Sequence, residues 1–425
     1  MKNKTIIFPL LFIFVMILIF IVYLVFFAYD TPNNIPSLNK EVILASHDYL
    51  PADLRTNARL LIDGKETFAA IFKHIQEAKN TILIHSFIWR DDKVGNMLAK
   101  QLLEAADRGV QIIIEKDKLG ALHEKTEENK LSFFHKKAIP SLWIKQFFLE
   151  KLYAHPGKFG QKPEISYAGK LTAHPNITVS ANQIKNDHSK YFIFDHKTLV
   201  LGSVNIEDKE VFFDAAGREY SDYMIELDGR NFVKQFLQEL NGEHVTSNSE
   251  VEFVVNKFKP VRQFEVKSKI LSLLRTAQNS VIIQNSYWGD KDVLQRLAET
   301  ANRGVHVQIF LPQTANLQTD LNLKSMRWLL EHSAYKPQIY LHKKMLHAKL
   351  ILVDNNYLLL GSSNLNSVSL EKMQETNVLI DLPGSAILPK LQKNLTKHRQ
   401  QSQLIRKAEQ LQYNSFLAFF ENIFS

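Results

Sequence analysis

The sequence predicts an α/β protein: two pseudo-symmetric α/β/α lobes with mixed sheets, preceded by one N-terminal transmembrane helix. Three observations predict it. Helical and strand-like patterns alternate along the chain, the same order of elements occurs twice, and one unbroken apolar run opens the sequence.

The apolar run covers Ile6 to Ala28, with Lys2 and Lys4 before it and Tyr29-Asp30 after it. At about 1.5 Å per residue such a helix crosses a hydrocarbon core of roughly 30 Å. It ends Val-Phe-Phe-Ala-Tyr-Asp, a poor cleavage site, so residues 1–30 read as an uncleaved anchor. The lysines on the short side predict a cytoplasmic N-terminus and a body outside the cytoplasm. Residues 31–40 form a polar linker containing Pro32 and Pro36.

The first lobe is expected over 41–241. Lys65–Ala78 has helical spacing, and the strand Thr81–Ile88, a helix Val94–Asp107 and a strand starting at Val110 follow. The second lobe is expected over 242–425. There the helix Gln263–Gln278, the strand Ser280–Ser286, the helix Val293–Asn302 and a strand from Val305 repeat that order. Arg-Gly-Val marks the helix-to-strand corner in both copies, with Gly109 and Gly304 placed for a left-handed helix stop. The alternation predicts mostly parallel sheets. His123–Lys170 is an insertion rich in lysine and aromatics. Its mix suits a membrane interface or single-stranded nucleic acid, unless the rings pack on the core. Pro389–Ser425 reads as one or two helices docked on the second lobe.

Composition limits the chemistry. With no cysteine among 425 residues, disulfides, thiolate metal sites and a cysteine nucleophile are excluded. A net charge of +8 suits polyanionic partners, whether a phospholipid surface or nucleic acid. Nothing in the pattern specifies an oligomeric state.

The chemistry itself lies in a repeated motif. His188-Ser189-Lys190 runs on to Asp195, and Gly202-Ser203-Val204-Asn205 follows. His347-Ala348-Lys349 runs on to Asp354, and Gly361-Ser362-Ser363-Asn364 follows at the same distance. Residues two apart on a strand share a face, so each His projects with its Lys. A tight turn at each Asp returns the chain antiparallel and brings Gly-Ser-x-Asn beside the pair. The small Gly-Ser step allows close approach to a phosphate, and Asn205 and Asn364 supply amide donors. Two imidazoles near neutral pH can share nucleophile and acid roles, while two ammonium groups stabilise equatorial oxygens. No metal and no cofactor is required.

These motifs, with Phe87-Ile88-Trp89-Arg90-Asp91-Asp92, both Arg-Gly-Val corners and Met345-Leu346-His347-Ala348-Lys349, resemble the phospholipase D superfamily. The likeness runs from about Leu60 to about Ile380 and is greatest to its bacterial cardiolipin synthase-like and phospholipase D-like members. It implies a phosphodiester-transferring enzyme working through a covalent phosphohistidine, with His188 as nucleophile and His347 as general acid, then base. It also implies an acidic residue orienting each histidine. The matching positions are Asp222 and Glu375, while Asp195 and Asp354 are more structural than chemical. The substrate implied is a phospholipid, reached from the membrane by the N-terminal helix; a nuclease acting on DNA or RNA outside the cytoplasm is the alternative. This chain departs from cardiolipin synthases after the second Asn. Leu365-Asn366-Ser367-Val368-Ser369 stands where they carry Leu-Asp-x-Arg-Ser, whereas Asn205-Ile206-x-Asp208 is kept. Typical relatives have two N-terminal membrane helices, and this chain has one.

Overall fold

The computed structural model describes residues 57–126, 132–135, 142–152, 164–183, 185–212, 220–243, 251–258 and 262–424. The predicted N-terminal membrane helix and linker lie outside the described residues. Among the described residues, no helix is long and apolar enough to cross a membrane.

Seven strands build the first sheet, in the spatial order Ala58–Ile62, Tyr223–Asp228, Thr198–Gly202, Tyr191–Phe194, Thr81–Ser86, Gln111–Lys116 and Ile177–Ser180. Nine build the second. They include Val251–Lys257, Glu375–Asp381, Tyr357–Gly361, Lys349–Val353, Ser280–Asn285, His306–Pro312 and Gln338–His342 in that order, with Gln263–Phe264 and Ser402–Ile405 as the edges. Only the strands joined through covering helices run parallel: Thr81–Ser86 with Gln111–Lys116 and then Ile177–Ser180, and the matching three in the second sheet. Every other pairing within these two sheets is antiparallel. The sheets are therefore mixed, as expected, but mostly antiparallel rather than mostly parallel. Each His-Lys segment leads into a hairpin, and a further strand folds back beside it, so this side of each sheet lacks crossovers.

The local signals hold. Asp92 and Asp290 cap the helices Lys93–Asp107 and Lys291–Asn302 by accepting backbone N–H groups. Gly109 (φ 97°) and Gly304 (φ 91°) end those helices in the left-handed region. Asp195-His196 and Asp354-Asn355 all have positive φ, the conformation a two-residue hairpin turn requires.

The sheets stack, and their facing sides share one core. Tyr191, Ile193, Leu199, Leu201 and Ile225 of the first sheet join Leu350, Leu352, Leu358, Leu360 and Val378 of the second in a single buried cluster. The helices Arg230–Asn241 and Ile387–Gln400 contribute Phe236 and Leu391 to it. Outer faces are covered separately. The helices Asp63–Glu77 and Lys93–Asp107 lie over Ile84, Phe192 and Val200; Glu265–Thr276, Lys291–Asn302 and Thr319–His332 lie over Ile283, Ile351 and Leu359.

The tail divides its allegiance. The helix Ser415–Phe424 docks on the second half, where Glu421 accepts from Leu321 N (2.6 Å). Ile387–Gln400 also reaches the first half, donating from Lys390 to Leu60 O (2.8 Å) and from Asn394 to the Tyr223 hydroxyl (2.8 Å). In the insertion, the helix Trp143–Leu152 leaves Trp143 (66% exposed) and Phe147 (51% exposed) on the surface. Those two rings are not packed on the core.

Candidate active site

Both histidine segments sit on the seam between the halves, and each is held by the other half. His188 N donates to Gln374 O (2.9 Å), beside a parallel bridge from Asp187 to Gln374. His347 N donates to Ser221 O (2.9 Å), beside the parallel pair of Met345–Leu346 with Tyr220–Ser221. Gln374 and Ser221 immediately precede Glu375 and Asp222. The backbone pairing therefore delivers each acid to the opposite histidine.

The side chains complete that crossing. His188 Nδ1 lies 3.2 Å from both Glu375 carboxylate oxygens and 3.1 Å from Ser362 O. His347 Nδ1 lies 2.7 Å from Asp222 Oδ2. With Nδ1 committed to a carboxylate, Nε2 is the nitrogen left for chemistry on each ring. Each acid is itself braced: Ser203 donates to Asp222, and Ser362 and Ser369 donate to Glu375. The serine of each Gly-Ser step is thus a support for the acid. Its glycine makes room for backbone, because a Cβ at Gly202 would meet Tyr223 O at 2.4 Å and one at Gly361 would meet Thr376 O at 2.3 Å. Both residues of the step thus have a structural task beside the phosphate approach expected of them.

His188, Ser189 and Lys190 run extended just ahead of the strand Tyr191–Phe194, whereas Lys349 opens its own strand. In both halves the lysine ammonium donates back to the carbonyl of its motif histidine, Lys190 to His188 O at 2.5 Å and Lys349 to His347 O. Phe87 meets the His188 ring edge-on, 4.7 Å between centroids, and Tyr220 lies 5.6 Å from the His347 ring. Asn205 and Asn364 are buried, and the side-chain oxygen of each has no hydrogen-bond partner.

Burial dominates the electrostatics. It draws Lys190 down to about 7, helped by the Lys349 charge, and Lys349 down to about 8 against the pull of Asp222 and Glu210. It also lowers His188, with Lys190 adding to the effect and Glu375 opposing it. His347 falls to about 4 through burial and Lys349, with Asp222 opposing. Burial pushes the two acids up, yet the adjacent histidines and lysines hold Asp222 and Glu375 below the ordinary range. At neutral pH both rings are neutral, and each is hydrogen-bonded to a carboxylate.

Asp195 and Asp354 are elsewhere. Asp195 accepts from the backbone N–H groups of Lys79, Asn80 and Thr81 (2.9, 2.7 and 2.9 Å), and Asp354 from Gln278, Asn279 and Ser280 (2.9, 2.7 and 2.8 Å). Each clamps the start of the neighbouring strand. Asn366, where the resemblance implies Asp, caps the helix Ser367–Lys372 through Ser369 N.

The sequence flags Phe87, Ser203, Ser362 and Ser369 only as motif residues, without the ring contact or the bonds to the acids found here, and it gives no sign of Tyr220 or Glu210. The carboxylates Asp290, Asp292 and Glu371 gather around a cation the chain already supplies, the Lys267 ammonium at 2.5–2.9 Å. Glu210 lies close to Asp222 and His347, but the Asp222 hydrogen bond to Nδ1 makes this a hydrogen-bonded group rather than a ligand set.

Residues 71–243 and 270–399 match the family described as cardiolipin synthase, phospholipase D-like domain. Cardiolipin synthase B of Shigella flexneri is 24% identical over 346 residues, 76% of either chain. A cardiolipin synthase of Halalkalibacterium halodurans is 25% identical over 351 residues, 78% of this chain and 64% of that one. In fold, the chain resembles the crystal structure of a phosphatidylserine synthase from Haemophilus influenzae (TM-score 0.65, 15% identity, covering 88% of this chain and 93% of that one). A paired, crossed His-Lys centre and a family match over most of its length lead to one conclusion: the chain belongs to the cardiolipin synthase family of phospholipase D-like proteins and is a phosphodiesterase or phosphatidyltransferase of that type.

Proposed function

We propose that the protein is a membrane-anchored phosphatidyltransferase acting on glycerophospholipids through a phosphohistidine. The crossed His–carboxylate pairs carry this reading, since they leave two Nε2 atoms, one from each half, at one cleft lined by two lysines. Neutral His188 Nε2 attacks phosphorus, the bond to the leaving oxygen breaks, and His347 Nε2–H protonates that oxygen. His347 then takes the proton of the acceptor hydroxyl, whose oxygen attacks phosphorus and releases His188. An anionic phosphodiester between Lys190 and Lys349 offsets their positive field and raises the proton affinity of His347, so that it enters the first step charged. Lys190, Lys349, Asn205 and Asn364 hold the non-bridging oxygens. Asp222 and Glu375 orient the rings, and Asp195 and Asp354 support the strands. The apolar run Ile6–Ala28 tethers this body to the bilayer, on the extracytoplasmic side.

The test offers purified enzyme phosphatidylglycerol vesicles with labelled glycerol and, separately, a single-stranded oligonucleotide, both in chelator. Glycerol release and an acid-labile, base-stable phosphoprotein that His188→Asn abolishes are expected. Cleavage of the oligonucleotide alone replaces the lipid reading with the nuclease, and activity lost in chelator rules out metal-free chemistry.

A further inference from the structure

His, Lys, Gly-Ser and Asn recur in both halves of the centre, and an acid meets each histidine (Asp222 in one, Glu375 in the other), but one further position differs in kind. Five residues after each site asparagine stands a side chain that accepts the asparagine's own N–H. In the second half it is Ser369 Oγ, at 2.8 Å from Asn364 N; in the first it is Glu210 Oε1, at 3.2 Å from Asn205 N. Ser369 then passes its hydroxyl hydrogen to Glu375, the acid of His188. Glu210 occupies the same station beside Asp222, the acid of His347, with the ligand-capable atoms of Glu210, Asp222 and His347 all within 4.8 Å. Its Oε1 lies 3.8 Å from His347 Nδ1. Its Oε2 is buried with no hydrogen-bond partner, and the residue is 0% exposed.

A carboxylate cannot do what the serine does, for it has no hydrogen to give. Two ionised carboxylates this close and away from water also repel strongly, so one of them keeps a proton. Asp222 is ionised by its bonds to His347, Ser203 and Tyr223 N. Glu210 is left as the proton's holder, and we propose that its carboxylic acid hydrogen-bonds to Asp222, making it a positioning residue for His347 as Ser369 is for His188. The surroundings agree. Burial, then Asp222 and Glu207, raise Glu210 well above the carboxylate range, with Lys349 opposing. Glu207 is itself occupied by Arg90 (2.6 Å) and Lys209 (3.3 Å), and Asp63 by Ser221 and Asp222 N. The two histidines are therefore unequal: His347 alone works beside an acid that can ionise, and ionisation at high pH would trap the imidazolium by adding charge near Nδ1.

The inference rests on the phosphodiester reading, so its test has one arm that does not. Glu210→Ala and Glu210→Gln are compared with wild type on bis(p-nitrophenyl) phosphate and on phosphatidylglycerol vesicles. E210A lowers kcat by roughly 10–100-fold, the value of a donor to a charged group, with KM little changed. E210Q restores most of that loss, because its amide still donates, and lacks the alkaline fall in kcat that wild type shows. One component of the infrared carbonyl band of protonated carboxyls is present in wild type at neutral pH and lost in the difference spectrum against E210Q. An E210A enzyme with wild-type kcat, or the absence of that component from wild type, overturns the proposal. A wild type inert on both substrates removes the phosphodiester reading, and the band still decides for Glu210.

Discussion

Glu375→Gln probes the crossing directly, because Glu375 lies in the second half of the sequence yet touches the histidine of the first. The substitution keeps shape and one of the two oxygens to which Ser362 and Ser369 donate, the other serine turning to accept from the amide, and it removes the charge 3.2 Å from His188 Nδ1. Two full charges at that distance attract by about 5 kcal/mol at an effective dielectric of ~20. His188 gains only part of a charge as its bond to phosphorus forms, and Ser362 O at 3.1 Å remains as a second acceptor. The loss is therefore set by one charge-assisted hydrogen bond, about 1.5–3 kcal/mol, or roughly 10–100-fold in the rate of phosphoenzyme formation. Rapid quenching with a phospholipid labelled in the retained phosphate measures that rate separately from breakdown of the intermediate. Asp222→Asn, made in parallel, acts on proton transfer by His347 and slows breakdown as well. An E375Q enzyme that forms phosphoenzyme at the wild-type rate, and is slowed only in breakdown, refutes the crossed assignment.

Asp195→Ala deletes a clamp on three backbone N–H groups outside the cleft. It should lower unfolding free energy by about 1–3 kcal/mol in a denaturant titration while kcat per folded molecule stays unchanged; a matching fall in kcat would put Asp195 in the chemistry. The lysines set a pH trend. Lys190 and Lys349 are charged below their pKa values of about 7 and 8 and neutral above them. Attraction for a phosphodiester anion is thus full at pH 6 and fades as pH rises through that window, so KM should climb towards pH 9. A KM flat over this range counts against lowered lysine pKa values in the empty cleft.

Much of this site was legible because its signals are local. The spacing of His188, Lys190 and Asn205, and of His347, Lys349 and Asn364, is fixed by one hairpin each, and hairpins are read from adjacent residues. Asp195 and Asp354 were separable from the chemistry for the same reason. Asp222 and Glu375 could be picked out as the acids, but not which histidine each would meet, since 125 and 187 residues separate the partners. The parallel expectation came from the strand–helix–strand units, which are the visible ones. The return strands Tyr223–Asp228 and Glu375–Asp381, and the helices wedged between the sheets, carry no such flag. Nor does Glu210, whose meaning comes from the atom opposite it in the other half.

The common core between the sheets has a consequence for how the enzyme comes into being. Synthesis delivers the first half before the second, and that half emerges with Tyr191, Ile193, Leu199 and Leu201 on a face that its own helix Arg230–Asn241 covers only in part. Until Leu350, Leu352, Leu358 and Leu360 arrive to close it, the growing chain carries an adhesive sheet and a histidine without its acid. Catalytic competence is therefore acquired in a single late event. Turnover therefore reports on the assembly of the whole molecule.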